Sequence, residues 1–100
     1  MQTAEVTQST LDPKVVGELI LDVAREYTAK GPGWAQESVV LREVAERLGV
    51  AGDVNVSRQQ TVLTCWHDLF RDGVLSWGYD IDNPSAPCFH FRETGLGSGA

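Results

Sequence analysis

The sequence is short of most of what a secreted, membrane-spanning or strongly basic protein would need. Two cysteines, Cys65 and Cys88, are too few for a disulfide framework and are not spaced as a redox pair. The apolar runs are only a few residues long, which excludes a membrane span, and the polar start MQTAEVTQST lacks the charged-then-apolar layout of a secretory signal. A cytoplasmic protein is expected. Cations are scarce: 8 Lys and Arg face 14 Asp and Glu, and the net charge of −6 argues against bulk electrostatic capture of nucleic acid. No Gly-rich phosphate loop, Ser-centred nucleophile elbow or Cys/His pair with activating neighbours is visible, so an enzyme is not expected and no cofactor is implied.

What is present fits one domain. With 100 residues, 42% of them hydrophobic, a single core can form without staples. Residues 1–11 and 95–100, the latter ending in GLGSGA, carry no apolar periodicity and are expected to be flexible, leaving a domain over residues 12–94. Asp12-Pro13 is a helix start, and Val16, Leu19, Ile20, Val23, Ala24 and Tyr27 follow at helical spacing until Lys30-Gly31-Pro32-Gly33 stops them. A second helix is expected from about Val40 to Leu48, ended by Gly49, with Glu43/Arg47 and Arg42/Glu46 as pairs one turn apart. The stretch Trp34–Val39 before it reads as loop or short strand. Ser57 and Gln60 form a capping-box pattern ahead of a third helix, in which Val62, Trp66, Leu69 and Phe70 share a face as far as Arg71-Asp72-Gly73.

The period then changes from 3.6 to 2. Val74–Tyr79 places Leu75, Trp77 and Tyr79 on one side, and Cys88–Arg92 alternates Phe89 and Phe91 against Cys88, His90 and Arg92. The turn-rich stretch Asp80–Pro87 joins the two as an antiparallel hairpin. Three helices followed by a hairpin resemble a winged helix-turn-helix domain. Two stretches carry the resemblance: Val44-Ala45-Glu46-Arg47-Leu48-Gly49-Val50, similar to a second helix and its turn, and WHDLFRDGVLSWGY, similar to the end of a recognition helix entering the wing. WGYDIDNPSAPCFHF is also similar to the wing of a group of bacterial winged-helix proteins, which brings no defined activity. The resemblance implies an α+β fold, a three-helix winged helix-turn-helix with a C-terminal antiparallel β-hairpin wing. It also implies a bacterial transcriptional regulator that reads duplex DNA with its third helix. Two departures stand out: the turn Val50–Val56 is longer than usual, and the wing loop offers Asp80 and Asp82 where a phosphate-contacting wing carries cations.

On the third helix, Gln60, Thr64, His67 and Arg71 lie opposite the core, Thr61 and Asp68 flank them, and Arg58 sits in the first turn, where the helix dipole favours phosphate. Gln suits a bidentate contact with adenine, Thr a methyl or hydroxyl contact, and Arg a phosphate or guanine. Arg58, Gln60, Thr61, Thr64 and Arg71 are therefore the candidate DNA contacts, against the plain reading of a solvated helix face. The alternative is an acidic winged-helix adaptor that binds a protein partner and no DNA. It would use Glu18, Asp22 and Glu26, which recur every fourth residue on the first helix, with Asp80 and Asp82 of the hairpin. Cys65-x-His67 and Cys88-x-His90 repeat a ligand spacing, but helix positions two apart point about 200° from each other, so no metal site is expected. Trp34, in a Gly-Pro-Gly-Trp loop, reads as a lid over the core or as an interface anchor.

Overall fold

A computed structural model describes residues 11–54 and 56–92; the loose ends expected at 1–11 and 95–100 fall outside them, apart from Leu11, which packs against the core. The chain order is α1 (Pro13–Lys30), β1 (Ala35–Gln36), α2 (Glu37–Leu48), α3 (Ser57–Arg71), β2 (Leu75–Trp77) and β3 (Cys88–Phe91). The three strands form one antiparallel sheet in the order β1-β3-β2, so the class is α+β with three helices. No helix among the described residues is long and apolar enough to cross a membrane.

The start of α1 is as the sequence indicates. The Asp12 carboxylate accepts from the Lys14 backbone N–H at 3.0 Å, and Pro13 opens the helix where its missing N–H costs nothing. Val16, Ile20, Val23 and Ala24 are buried along one face, and Thr28 joins them because its hydroxyl donates to the Ala24 carbonyl at 3.0 Å. Trp34–Val39 resolves into a two-residue strand and the first turn of α2, which begins at Glu37 rather than Val40. The apolar periodicity does not reveal that turn because Glu37 is only half-buried and Ser38 and Val39 face solvent. Gly49 ends α2 in the left-handed region (φ 73°, ψ 24°), where the Gly49 N–H reaches the Glu46 carbonyl and the Val50 N–H the Ala45 carbonyl at 2.9 Å. Gly73 (φ 81°) ends α3 in the same way, with the Val74 N–H donating to the Leu69 carbonyl.

The capping box does not form as expected. Val56 occupies the N-cap place with near-helical angles (φ −77°, ψ −4°), so Ser57 is already the first residue inside α3. The hairpin strands are also shorter than the alternation suggests, because Gly78 adopts φ 111° and breaks the period. A Cβ there would lie 2.9 Å from the Pro84 backbone, so only glycine fits. Leu75 and Trp77 face the helices, whereas Tyr79, beyond the break, is exposed and packs on Trp34 with ring centroids 4.4 Å apart. Trp34 is therefore half-buried against Tyr79 of the hairpin. Its indole N–H is buried and has no hydrogen-bond partner among the described residues.

Trp66 is the centre of the core. It is fully buried, meets Phe70, Phe89 and Trp77 edge-on at 5.1, 5.1 and 6.3 Å, and its indole N–H donates to the Glu37 carboxylate at 2.9 Å. One side chain thus joins α3 to the sheet and to the first turn of α2. Arg47 makes the corresponding tie on the outside, bonding Glu43 at 2.7 Å on its own helix and Glu26 of α1 at 3.0 Å. Those hydrogen bonds, Glu43's first, raise the pKa of Arg47 above its ordinary value. Arg42 and Glu46 form no such pair within 4.0 Å. Glu37→Ala is expected to lower unfolding stability by about 1–3 kcal/mol in urea titration, because it leaves a buried donor unpaired. Glu37→Gln, which keeps an acceptor, should lose clearly less.

Candidate nucleic-acid interface

The helix α3 is positioned from both sides, by α1 behind it and by the sheet at its C-terminal end. Val62, Cys65 and Trp66 are buried, with the Cys65 thiol 3.6 Å from the Pro13 carbonyl. Cys65 and His67 therefore lie on opposite sides of the helix, one buried and one exposed, so they cannot share a metal ion. Burial pushes the Cys65 thiol up in pKa, and the nearby Asp68 charge adds to the effect.

The remaining surface of α3 is a row. Gln60, Thr64, His67 and Arg71 are all exposed and succeed one another at steps of four, three and four residues, which is one stripe along a helix. Thr61, half-buried at the flank, turns its hydroxyl back to the Ser57 carbonyl at 3.2 Å. Arg71 ends the stripe with 69% of its side chain exposed, and it pairs with Asp68 at 3.1 Å and Asp72 at 3.2 Å. These acids, Asp72's hydrogen bond foremost, raise its pKa, so it stays a cation at any working pH. Exposed pairs of this kind exchange readily for another anion.

Arg58 does not join the row. At about 100° per residue it lies roughly 140° around the helix from Arg71. Its guanidinium is engaged by Asp53 of the preceding turn, Nε to Oδ2 at 2.9 Å and Nη2 to Oδ1 at 3.1 Å. Only 22% of the Arg58 side chain and 19% of the Asp53 side chain are exposed. The next residue, Gln59, donates its amide to the Val50 and Ala51 carbonyls at 2.8 and 3.3 Å, so the long α2–α3 turn is pinned by two consecutive side chains of α3. Sequence reasoning missed both roles. An acid five residues before an arginine across a helix start was the available signal.

The acidic candidates are partly engaged as well. Glu26 belongs to the Arg47 pair, and Asp22 lies 3.9 Å from Arg25. Asp80 accepts from the backbone N–H groups of Asp82 and Asn83 and from the Asn83 amide at 2.9–3.0 Å, which makes it the organiser of the hairpin turn. Glu18 and Asp82 are exposed. The sequence also gave no sign of a groove of about 580 Å³ between α2 and α3, floored by Leu41, Ala45, Val50, Val62 and Leu63. Leu63 is 40% exposed, and Val54 and Val56 in the adjoining turn are 97% and 51% exposed.

Comparison of the chain with protein-family models, with curated proteins and with solved structures found no match.

The two thiols should separate chemically. In the native protein at about pH 8, an alkylating reagent is expected to label half-buried Cys88 well before Cys65, and the difference should vanish in denaturant. Because the unfolded chain ionises Cys65 first, its contribution to stability is complete below the ordinary thiol range near 8.5 and declines as pH rises through it. A Cys65→Ala variant should lack that decline in alkaline denaturation curves.

Proposed function

We propose that this chain is a winged helix-turn-helix domain that binds duplex DNA through α3 and acts in transcriptional control. The order of helices and strands supports it: α2 and α3 are joined by a turn, and the β2–β3 hairpin follows α3 and pairs with β1. The observation that carries the reading is the exposed stripe of Gln60, Thr64, His67 and Arg71, which nothing among the described residues covers and whose side chains suit adenine, a thymine methyl and guanine or phosphate. Thr61 flanks it. The wing's loop adds no cation and carries Asp80 and Asp82, so contact is concentrated on one helix.

A DNA-binding surface with so few cations has a measurable signature. Titration of random duplex DNA at low salt should show binding in the range of about 10⁻⁴ to 10⁻⁶ M with a shallow salt dependence, each phosphate contact contributing a slope of roughly −0.9 in log affinity against log salt. Arg71→Ala should weaken binding and flatten that slope by about one such contact. A silent titration well above about 10⁻⁴ M protein would sink the DNA reading.

The second reading is a protein-interaction module, and the α2–α3 groove favours it. Its apolar lining includes exposed Leu63, and the turn that joins α2 to α3 exposes Val54 and Val56, which suits an apolar stripe on a partner's helix. This moves the adaptor's contact from the acidic residues of α1 and the hairpin to the groove. A DNA-silent protein would leave this reading standing.

A further inference from the structure

We propose that the groove between α2 and α3 is where a second copy of this chain docks, the two copies lying α2 against α2, antiparallel about a two-fold axis, with Arg42 of each facing Glu46 of the other. The inference rests on the second reading above, the groove as a contact surface, and names its occupant. Arg42 and Glu46 both line the groove, one turn apart on α2, and both are exposed. Neither side chain has a hydrogen-bond or ion-pair partner among the described residues, whereas Glu43 and Arg47, spaced the same way on the same helix, bond at 2.7 Å. The order of the charges accounts for the contrast: an acid followed four residues later by a base is the better arrangement along a helix, and the reverse is weaker. Glu46 also stands in the last turn of α2, where the helix dipole disfavours a negative charge.

An antiparallel copy removes both defects. A two-fold axis passing midway between Arg42 and Glu46 sets each residue opposite the other one on the partner, so a single charge pattern makes two ion pairs. It also brings the partner's Arg42 beside the last turn of α2, where a cation is favoured. A uniformly basic or uniformly acidic partner would satisfy one of the two charges and repel the other. The surface that carries the complementary order at the required spacing is the groove's own. Next to the charges, Leu41, Ala45 and Leu63 supply apolar area for the copies to bury inside a charged rim; Leu63 is exposed, and Ala45 is short enough for two helices to approach closely. The net charge of −6 makes whole chains repel at long range, but at about 0.15 M salt that repulsion is screened beyond roughly 8 Å.

The test is sedimentation equilibrium of the full chain in physiological salt, over about 1 μM to 1 mM protein. The wild type should move from its monomer mass of 10.9 kDa to twice that mass as concentration rises. Arg42→Glu and Glu46→Arg should each raise the dimer dissociation constant on the order of tenfold or more, because each turns two attractions into two repulsions. An equimolar mixture of the two variants should recover the dimer, since one then presents two acids and the other two bases, and the double variant Arg42→Glu/Glu46→Arg should recover it alone. Leu63→Glu should abolish it. A wild type that stays monomeric throughout overturns the second copy as occupant, whatever the variants do, and leaves the groove to a different partner. Single reversals that weaken the dimer without recovery in the mixture overturn the two-fold pairing. A dimer indifferent to the reversals and to Leu63→Glu takes the contact off the groove and overturns the proposal together with its surface. None of these outcomes depends on DNA binding.

Discussion

The fold depends on the burial of one indole. Trp66 has no solvent exposure, and besides Phe70 one turn along its own helix it is surrounded by other elements of the chain: the first turn of α2 through Glu37 and both hairpin strands through Trp77 and Phe89. A side chain of this size buries on the order of 200 Å² of mostly apolar surface, more than any other in the core. Its polar atom has to be satisfied, and Glu37 is positioned to do so because β1 leads directly into α2 and the Glu37 backbone N–H is held by the Pro87 carbonyl at 2.8 Å. The sheet thereby sets where α2 begins, and Trp66 sets how α3 lies against both.

That arrangement explains why the outer surface of α3 is available. Its inner side is consumed by the core, its α1 side by the Cys65 contact, and its first turn by the links from Arg58 and Gln59 into the preceding turn. What is left over is a narrow polar stripe, and on the α2 side an apolar groove. The two readings of function correspond to those two surfaces. A net charge of −6 weighs against long-range attraction to DNA, and the pairing of Arg58 and Arg71 with Asp53, Asp68 and Asp72 weakens it further at close range.

Much of the fold was legible because it rests on local rules. Asp12-Pro13, Gly49 and Gly73 announce helix ends through capping and left-handed backbone, and the stripe Val16, Ile20, Val23 shows the buried side of α1 by spacing alone. The shift to a period of two marked β2 and β3. What was not legible depends on contacts between segments far apart in the chain. The strand at Ala35–Gln36 exists because Phe89 and Cys88 pair with it, and the first turn of α2 exists because Trp66 and Pro87 need Glu37 there. The stripe on α3 followed from helical geometry, but the withdrawal of Arg58 did not, since nothing in a helical wheel reports an acid in the turn before it.

The sheet has a further consequence at its two margins. Its outer strands are β1 and β2, of two and three residues, and the longer β3 lies between them with both sides occupied. An open strand edge is a template on which a second chain can add itself, and the hazard grows with the length of uninterrupted backbone on offer. Here that length is too small for a stable intermolecular ladder. Gly78, by ending β2 after Trp77, is part of the protection as well as of the turn. A polar helix face and an apolar groove can therefore stay open to partners in a chain whose sheet offers little foothold for self-association.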